Sequence, residues 1–250
     1  MQMIKKRFEN TLHICILNFK MLLIGYFNTL GSSVSFIKGE KMNSKSLSSW
    51  MLIVSPILFF VVFIIGWDVV IGSSETTAEE LANIMTQTST VSIFAVLGTA
   101  IFISLAAGPA LLAWSKVDSS TLEGNLAFIA TMIFGAMSTI ALLSMGMGFP
   151  VIAGDTESML EAEWIWSVSD SMFAGLFLAW TFGNILLGAS LWIENKINKI
   201  ASGILLLAGI LMLIMHLLIG VVPEDVGFIP FIFALVATVI VGVFNLRSES

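Results

Sequence analysis

Cysteine is all but missing from this chain, and histidine nearly so. Cys15 is the only cysteine, which excludes an intrachain disulfide and any cysteine-based metal or redox motif. His13 and His216 are the only histidines, too few for most multi-histidine sites. From Met42 onward there is no cysteine, no tyrosine and a single histidine. The spacings Ser-x-His, His-Glu-x-x-His and Gly-x-Ser-x-Gly, which would announce hydrolase chemistry, are missing as well. That poverty counts against an enzyme, and nothing points to a cofactor. Charge is scarce too: 11% of residues are charged, where a soluble domain carries about a quarter. Without a basic patch, nucleic acid is not an expected partner.

What the chain has instead is hydrophobic length. Residues AVILMFWYC make up 57% of it. From Trp50 onward they gather into six runs, roughly 50–72, 91–114, 124–149, 167–193, 200–222 and 228–246. Each run is long enough to cross a hydrocarbon core of about 30 Å at 1.5 Å per residue. Backbone groups in lipid must be bonded within their own segment, and none of the runs alternates like a barrel strand, so all six are expected to be helices. The predicted fold is all-α: six transmembrane helices in a compact bundle.

The charges between the runs are sorted by sign. Lys45, Lys116, Lys196, Lys199 and Arg247 lie before the first run, in the second and fourth connections, and after the last. The first, third and fifth connections hold Glu75, Glu79, Glu80, Asp155, Glu157, Glu161, Glu163, Glu224 and Asp225, with no lysine or arginine. Short loops rich in lysine and arginine stay in the cytoplasm. The expectation is a multi-pass protein of a prokaryotic plasma membrane with both termini inside. The formal charge of −6 then describes an acidic external face rather than soluble acidic partners.

Residues 1–41 differ from the rest. Lys5, Lys6 and Arg7 precede an apolar stretch from Leu12 to Phe27 that Asn18 and Lys20 interrupt. It lacks the clean core and small-residue cleavage site of a signal peptide. A seventh span would bury Lys20 at a cost of about 2.5–3.5 kcal/mol. Two readings stay open: an interfacial cytoplasmic extension, or sequence upstream of a true start at Met42. The six-helix domain occupies residues 42–250.

The first external connection reads as a short amphipathic helix on the outer face. Thr77-Ala78-Glu79-Glu80 has the spacing of a capping box, and Ala78, Leu81, Ile84 and Met85 share one helical face. Ser158 to Glu161 repeats the capping pattern in the third connection. Trp50, Trp67, Trp114, Trp164, Trp166 and Trp192 sit near run ends, where tryptophan anchors at the headgroups. Small residues recur every four positions in three spans: Ala100, Ser104 and Gly108; Ala127, Thr131, Gly135 and Thr139; Ser171, Gly175, Ala179 and Gly183. Such stripes let helices approach closely, so spans 2, 3 and 4 are predicted to form the tightly packed centre. Gly146-Met147-Gly148 before Pro150 reads as the loose end of span 3.

Ionisable groups inside spans are the default candidates for function. Asp68, Asp170 and His216 all fall roughly 5–9 Å below the outer boundary at 1.5 Å per residue. Two carboxylates and an imidazole at one depth would make an outward binding site able to hold a divalent ion or relay a proton. The plainer alternative is that both aspartates reach headgroups and the histidine bonds a neighbouring helix. The midplane offers only neutral polarity, from Asn184, Thr131, Ser138 and Thr139.

Three stretches together resemble an uncharacterised family of small six-helix prokaryotic membrane proteins, catalogued as a domain of unknown function. They are Thr77-Ala78-Glu79-Glu80-Leu81 after span 1, Gly183 to Trp192 closing span 4, and the basic turn Asn195-Lys196-Ile197-Asn198-Lys199 that runs into Ile200 to Gly209. The resemblance covers about residues 50–246 and implies a six-helix bundle without assigning any catalytic residue. The leading expectation for function is a non-enzymatic integral protein, structural or sensory. The alternative is a small transporter or channel component with an outward polar vestibule. The bilayer is the one expected partner; a protein partner or a second copy stays open, and no substrate is indicated.

Overall fold

The computed structural model describes residues 43–250 except Ser73, Glu75, Ile219, Gly220, Pro223, Glu249 and Ser250, and leaves out the side chains of Ile64, Asp68, Glu224 and Asp225. The expected extension at residues 1–41 lies outside the described residues. The first rod comprises α1 (Ser44–Phe59), a π-helical stretch (Phe60–Gly66) and α2 (Trp67–Val70). There follow α3 (Thr77–Thr86), α4 (Thr88–Trp114), α5 (Leu122–Ala153), α6 (Met159–Glu194), α7 (Lys199–Leu217) and α8 (Glu224–Arg247). Six of these are long and apolar enough to cross a membrane, and α3 is the short one. The chain is a multi-pass, all-α membrane protein.

Side-chain caps set where the helices begin. Asn43 accepts from the Ser46 N–H at 2.7 Å, Thr121 from that of Gly124 at 3.1 Å, and Ser158 from that of Glu161 at 3.2 Å. Each satisfies a donor the first helical turn leaves orphaned. At the other end, α5 stops on Gly154 at φ 76°, a left-handed conformation that glycine adopts without steric cost. Helix α5 thus runs intact through Gly146, Gly148 and Pro150, where a loose end was expected.

Successive helices pack side by side in the order α1, α4, α5, α6, α7, α8, and α8 returns to α1, which closes a ring of six. At the closure, the Asn245 carboxamide donates to Ser49 Oγ at 2.8 Å, and Lys45 meets the Ser248 carbonyl. Between α5 and α6, Ser144 and Ser169 each donate a hydroxyl to the other's carbonyl at 2.8 Å. Without a hydrophobic drive between helices in lipid, such bonds and close packing supply the cohesion.

The ring is filled. Phe59 of α1, Phe102 of α4, Phe173, Phe177 and Trp180 of α6, and Phe231 of α8 interlock across its middle. Phe59 meets Phe102 at 4.9 Å and Phe231 at 5.6 Å between centroids, and Phe231 meets Phe177 and Trp180 at 5.3 Å each. Most of these contacts are edge-to-face, the arrangement the ring quadrupoles favour. The π-helical stretch carries Phe63, stacked on Phe59 at 5.0 Å and pressed against Gly98.

Only part of each predicted stripe lies at a close helix approach, and further approaches occur at Gly188 and Gly209 outside the stripes. Gly135 has nothing within 4 Å of where a Cβ would stand, and Ala100, Thr139 and Ser171 are exposed. Gly108 and Gly183 do mark close approaches, Gly108 to the backbone of Met51 and Leu52 in α1 and Gly183 to Phe134 in α5. Four-residue spacing places side chains along one helix face, but burial at the contacts decides which face is the packed one. The most extensive packing joins α5 to α6 and α4 to α5, as expected for spans 2, 3 and 4, while α1, α7 and α8 also contribute to the buried core.

Candidate functional site

The basic and acidic connections fall at opposite ends of the bundle, as antiparallel neighbours require. At the end that carries the described termini, Lys116 and Lys196 both pair with Glu194, at 3.1 and 3.3 Å. This ion pair ties the α4–α5 connection to the α6–α7 connection. Lys116 and Glu194 are largely shielded from solvent, whereas Lys196 is exposed.

The other end is capped by α3, and here the structure departs from the predicted capping box. Thr76, not Thr77, caps the helix, accepting from the Glu79 N–H at 3.2 Å. The one-residue shift leaves Glu80 free to face inward. Leu81 and Ile84 are fully buried, while Met85, expected on the same face, is exposed. Leu81 packs with Val151, Ala162, Ile165 and Trp166, and Ile84 with Ile71, Val91, Ala95 and Ile152. Helix α3 is therefore docked on the ends of α4, α5 and α6 rather than lying free on a surface.

Glu80, the residue before Leu81, is drawn half under by this docking. Burial pushes its carboxyl above the ordinary value of 4.5; a hydrogen bond from Trp166 offsets part of that, and the Asp170 charge adds to it. Trp166 and Asp170 lie four residues apart on α6, so they share the face toward α3. Glu80, the Trp166 indole and the Asp170 charge thus act on one another at the α3 end.

Of the three residues predicted to converge, Asp170 stands in this group, exposed beside Glu80. Asp68 belongs to α2, and its side chain lies outside the described residues. His216 sits in the last turn of α7, with Nδ1 2.7 Å from the Met212 carbonyl of its own helix. Helix α7 packs on α6 and α8, whereas the first rod packs on α4 and α8. The sequence alone presents Glu80 as the acid of a capping box and an external charge, and Trp166 as a belt anchor. The available signal is that Glu80 lies next to Leu81 and one turn before Ile84, the two residues that α3 buries.

The raised Glu80 carboxyl has a measurable consequence. A carboxyl raised above its ordinary value binds its proton more tightly folded than unfolded, so docking is favoured at low pH and weakens as pH rises from about 4.5 through the raised value. Glu80→Gln keeps an acceptor for Trp166 and removes the charge. It should stabilise the protein by about 0.5 kcal/mol at pH 7, the scale of a screened surface interaction, and by nothing at pH 4. Thermal melts of both proteins at the two pH values check this; an equal difference at both would show that Glu80 ionisation does not bear on docking.

The hydroxyls expected at mid-span are satisfied locally. Thr131 donates to the Ala127 carbonyl at 2.9 Å and Thr139 to that of Gly135 at 3.2 Å. Among the described residues, no group of three or more His, Cys, Asp or Glu side chains is placed to hold a metal ion. No family model, curated protein or solved structure matches the chain.

Proposed function

We propose that this six-span protein is a non-enzymatic structural or sensory element of a prokaryotic cytoplasmic membrane, with both termini inside and α3 on the external face. The observation that carries the reading is the filled centre: aromatic rings from α1, α4, α6 and α8 interlock where a transport path would run. Beneath a docked α3, such a core transmits a push at one end as a rigid-body movement rather than as a flow of solute. The lipid bilayer is its working partner, a protein partner or second copy would receive the signal, and no cofactor enters. The likeness to the uncharacterised six-helix family belongs to the same proposal.

A flux measurement tests it. Vesicles containing the full chain should pass protons, potassium and small neutral solutes no faster than empty vesicles. A tenfold or greater stimulation would favour the second reading, a small transporter or channel component. That reading draws on the Glu80 and Asp170 carboxylates as an outward polar vestibule.

Orientation is checked separately. Reporter fusions at Lys116 and Glu157 should give opposite signals, cytoplasmic and external. Reports from the same side would overturn the proposed threading.

A further inference from the structure

Two fully buried polar side chains remain unmatched in the interior of the ring. The Trp180 indole N–H and both polar atoms of the Asn184 carboxamide have no hydrogen-bond partner among the described residues. Both side chains are 0% exposed. They lie one turn apart on one face of α6. That face can be located from its flanks: Gly183 abuts Phe134 of α5, and Gly188 abuts Leu206 of α7. Side chains between these two bearings, Trp180 and Asn184 among them, point into the ring.

Buried polar groups are almost always satisfied, by protein or by ordered water. The mid-span hydroxyls bond their own helix through the carbonyl four residues back, as Thr181 does with Phe177 at 2.8 Å. Phe231 stands edge-to-face with the indole at 5.3 Å, and an N–H pointed at its ring would be only a weak substitute for a hydrogen bond. It would do nothing for Asn184.

We infer that Trp180 and Asn184 form an internal water-binding site in the bundle core. A water that accepts from the indole N–H and donates to Asn184 Oδ1 bridges the turn between them. A second, accepting from Nδ2 and donating to the first, completes the carboxamide. The guest is neutral because the surrounding core is built from leucine, alanine, methionine and aromatic side chains and offers no countercharge. It is small because the aromatic layer packs directly against Trp180.

Indole N–H spectra of the full chain in detergent micelles test this, with Trp180→Phe assigning one resonance among seven tryptophans. We expect a magnetisation-transfer peak between water and the Trp180 indole proton, weakened at least twofold in Asn184→Leu. No water peak at the assigned wild-type resonance would overturn the proposal, as would a reduction smaller than twofold in the variant. If Asn184→Leu does not fold, Asn184→Ala carries the same comparison, since it also removes the bridging oxygen.

Discussion

Gly188→Val should lower the unfolding temperature of the purified protein by roughly 6–12 °C, the equivalent of about 3 kcal/mol for a chain of this size. A Cβ at position 188 would stand 2.6 Å from the Leu206 backbone nitrogen and 2.7 Å from its Cα. Backbone cannot rotate away as a side chain can, so α6 and α7 must separate to admit the valine. Separation would also strain the neighbouring approach at Gly209, where a Cβ would lie 2.8 Å from the Ile185 nitrogen. The same substitution at Gly135, which has nothing within 4 Å, serves as the control. Its effect should stay within about 1 kcal/mol, because propensity rather than packing is then at stake. A thermal melt in detergent compares the two; equal losses would show that the α6–α7 approach is looser than described.

Phe231→Ala should cost about 3 kcal/mol. Phe231 is the one ring of α8 that touches Phe59 from α1 and both Phe177 and Trp180 from α6, besides Phe228 on its own helix. Truncating a fully buried phenylalanine costs about 3–5 kcal/mol when a cavity is left behind, and Phe231 is only partly buried. The low end applies here because a helix separated from its neighbours keeps its side chain in hydrocarbon rather than water, so only lost packing counts. Phe231→Leu, which keeps part of the volume, should lose about half as much. Melting temperatures that fall by no more than a degree in the alanine variant would mean that the aromatic layer does not hold the ring together.

Much of this architecture was legible in the chain. Run length gave six spans because the bilayer sets a minimum helix length. The connections sorted by sign lie at opposite ends because consecutive spans must alternate direction. The cap at Ser158 follows local rules that three or four residues can satisfy alone. Where the reading slipped, the error was a choice between local solutions of similar energy. Thr76 and Thr77 can each cap a helix, and the burial of Leu81 and Ile84 selects the register that turns Glu80 inward.

The candidate site was only partly legible, for a different reason. Depth along a span can be counted from sequence, and it placed Asp68, Asp170 and His216 at one level. Bearing around the ring cannot be counted, and it put Asp170 beside Glu80. It also hid Trp180, which looks like one more aromatic in an apolar run until it is seen facing inward one turn from Asn184.

The sequence by itself determined the all-α class, the number of spans, the two charged ends and the want of reactive side chains. Each of these follows from composition and length under the constraint that lipid offers no hydrogen bonds. Only the tertiary structure decided the closed ring, the aromatic filling of its centre, the docking of α3 and the partners of the buried polar groups. In lipid every face of these helices is apolar, so hydrophobicity does not distinguish inside from outside. Shape complementarity and a few interhelical hydrogen bonds do, and those exist only once the helices have met.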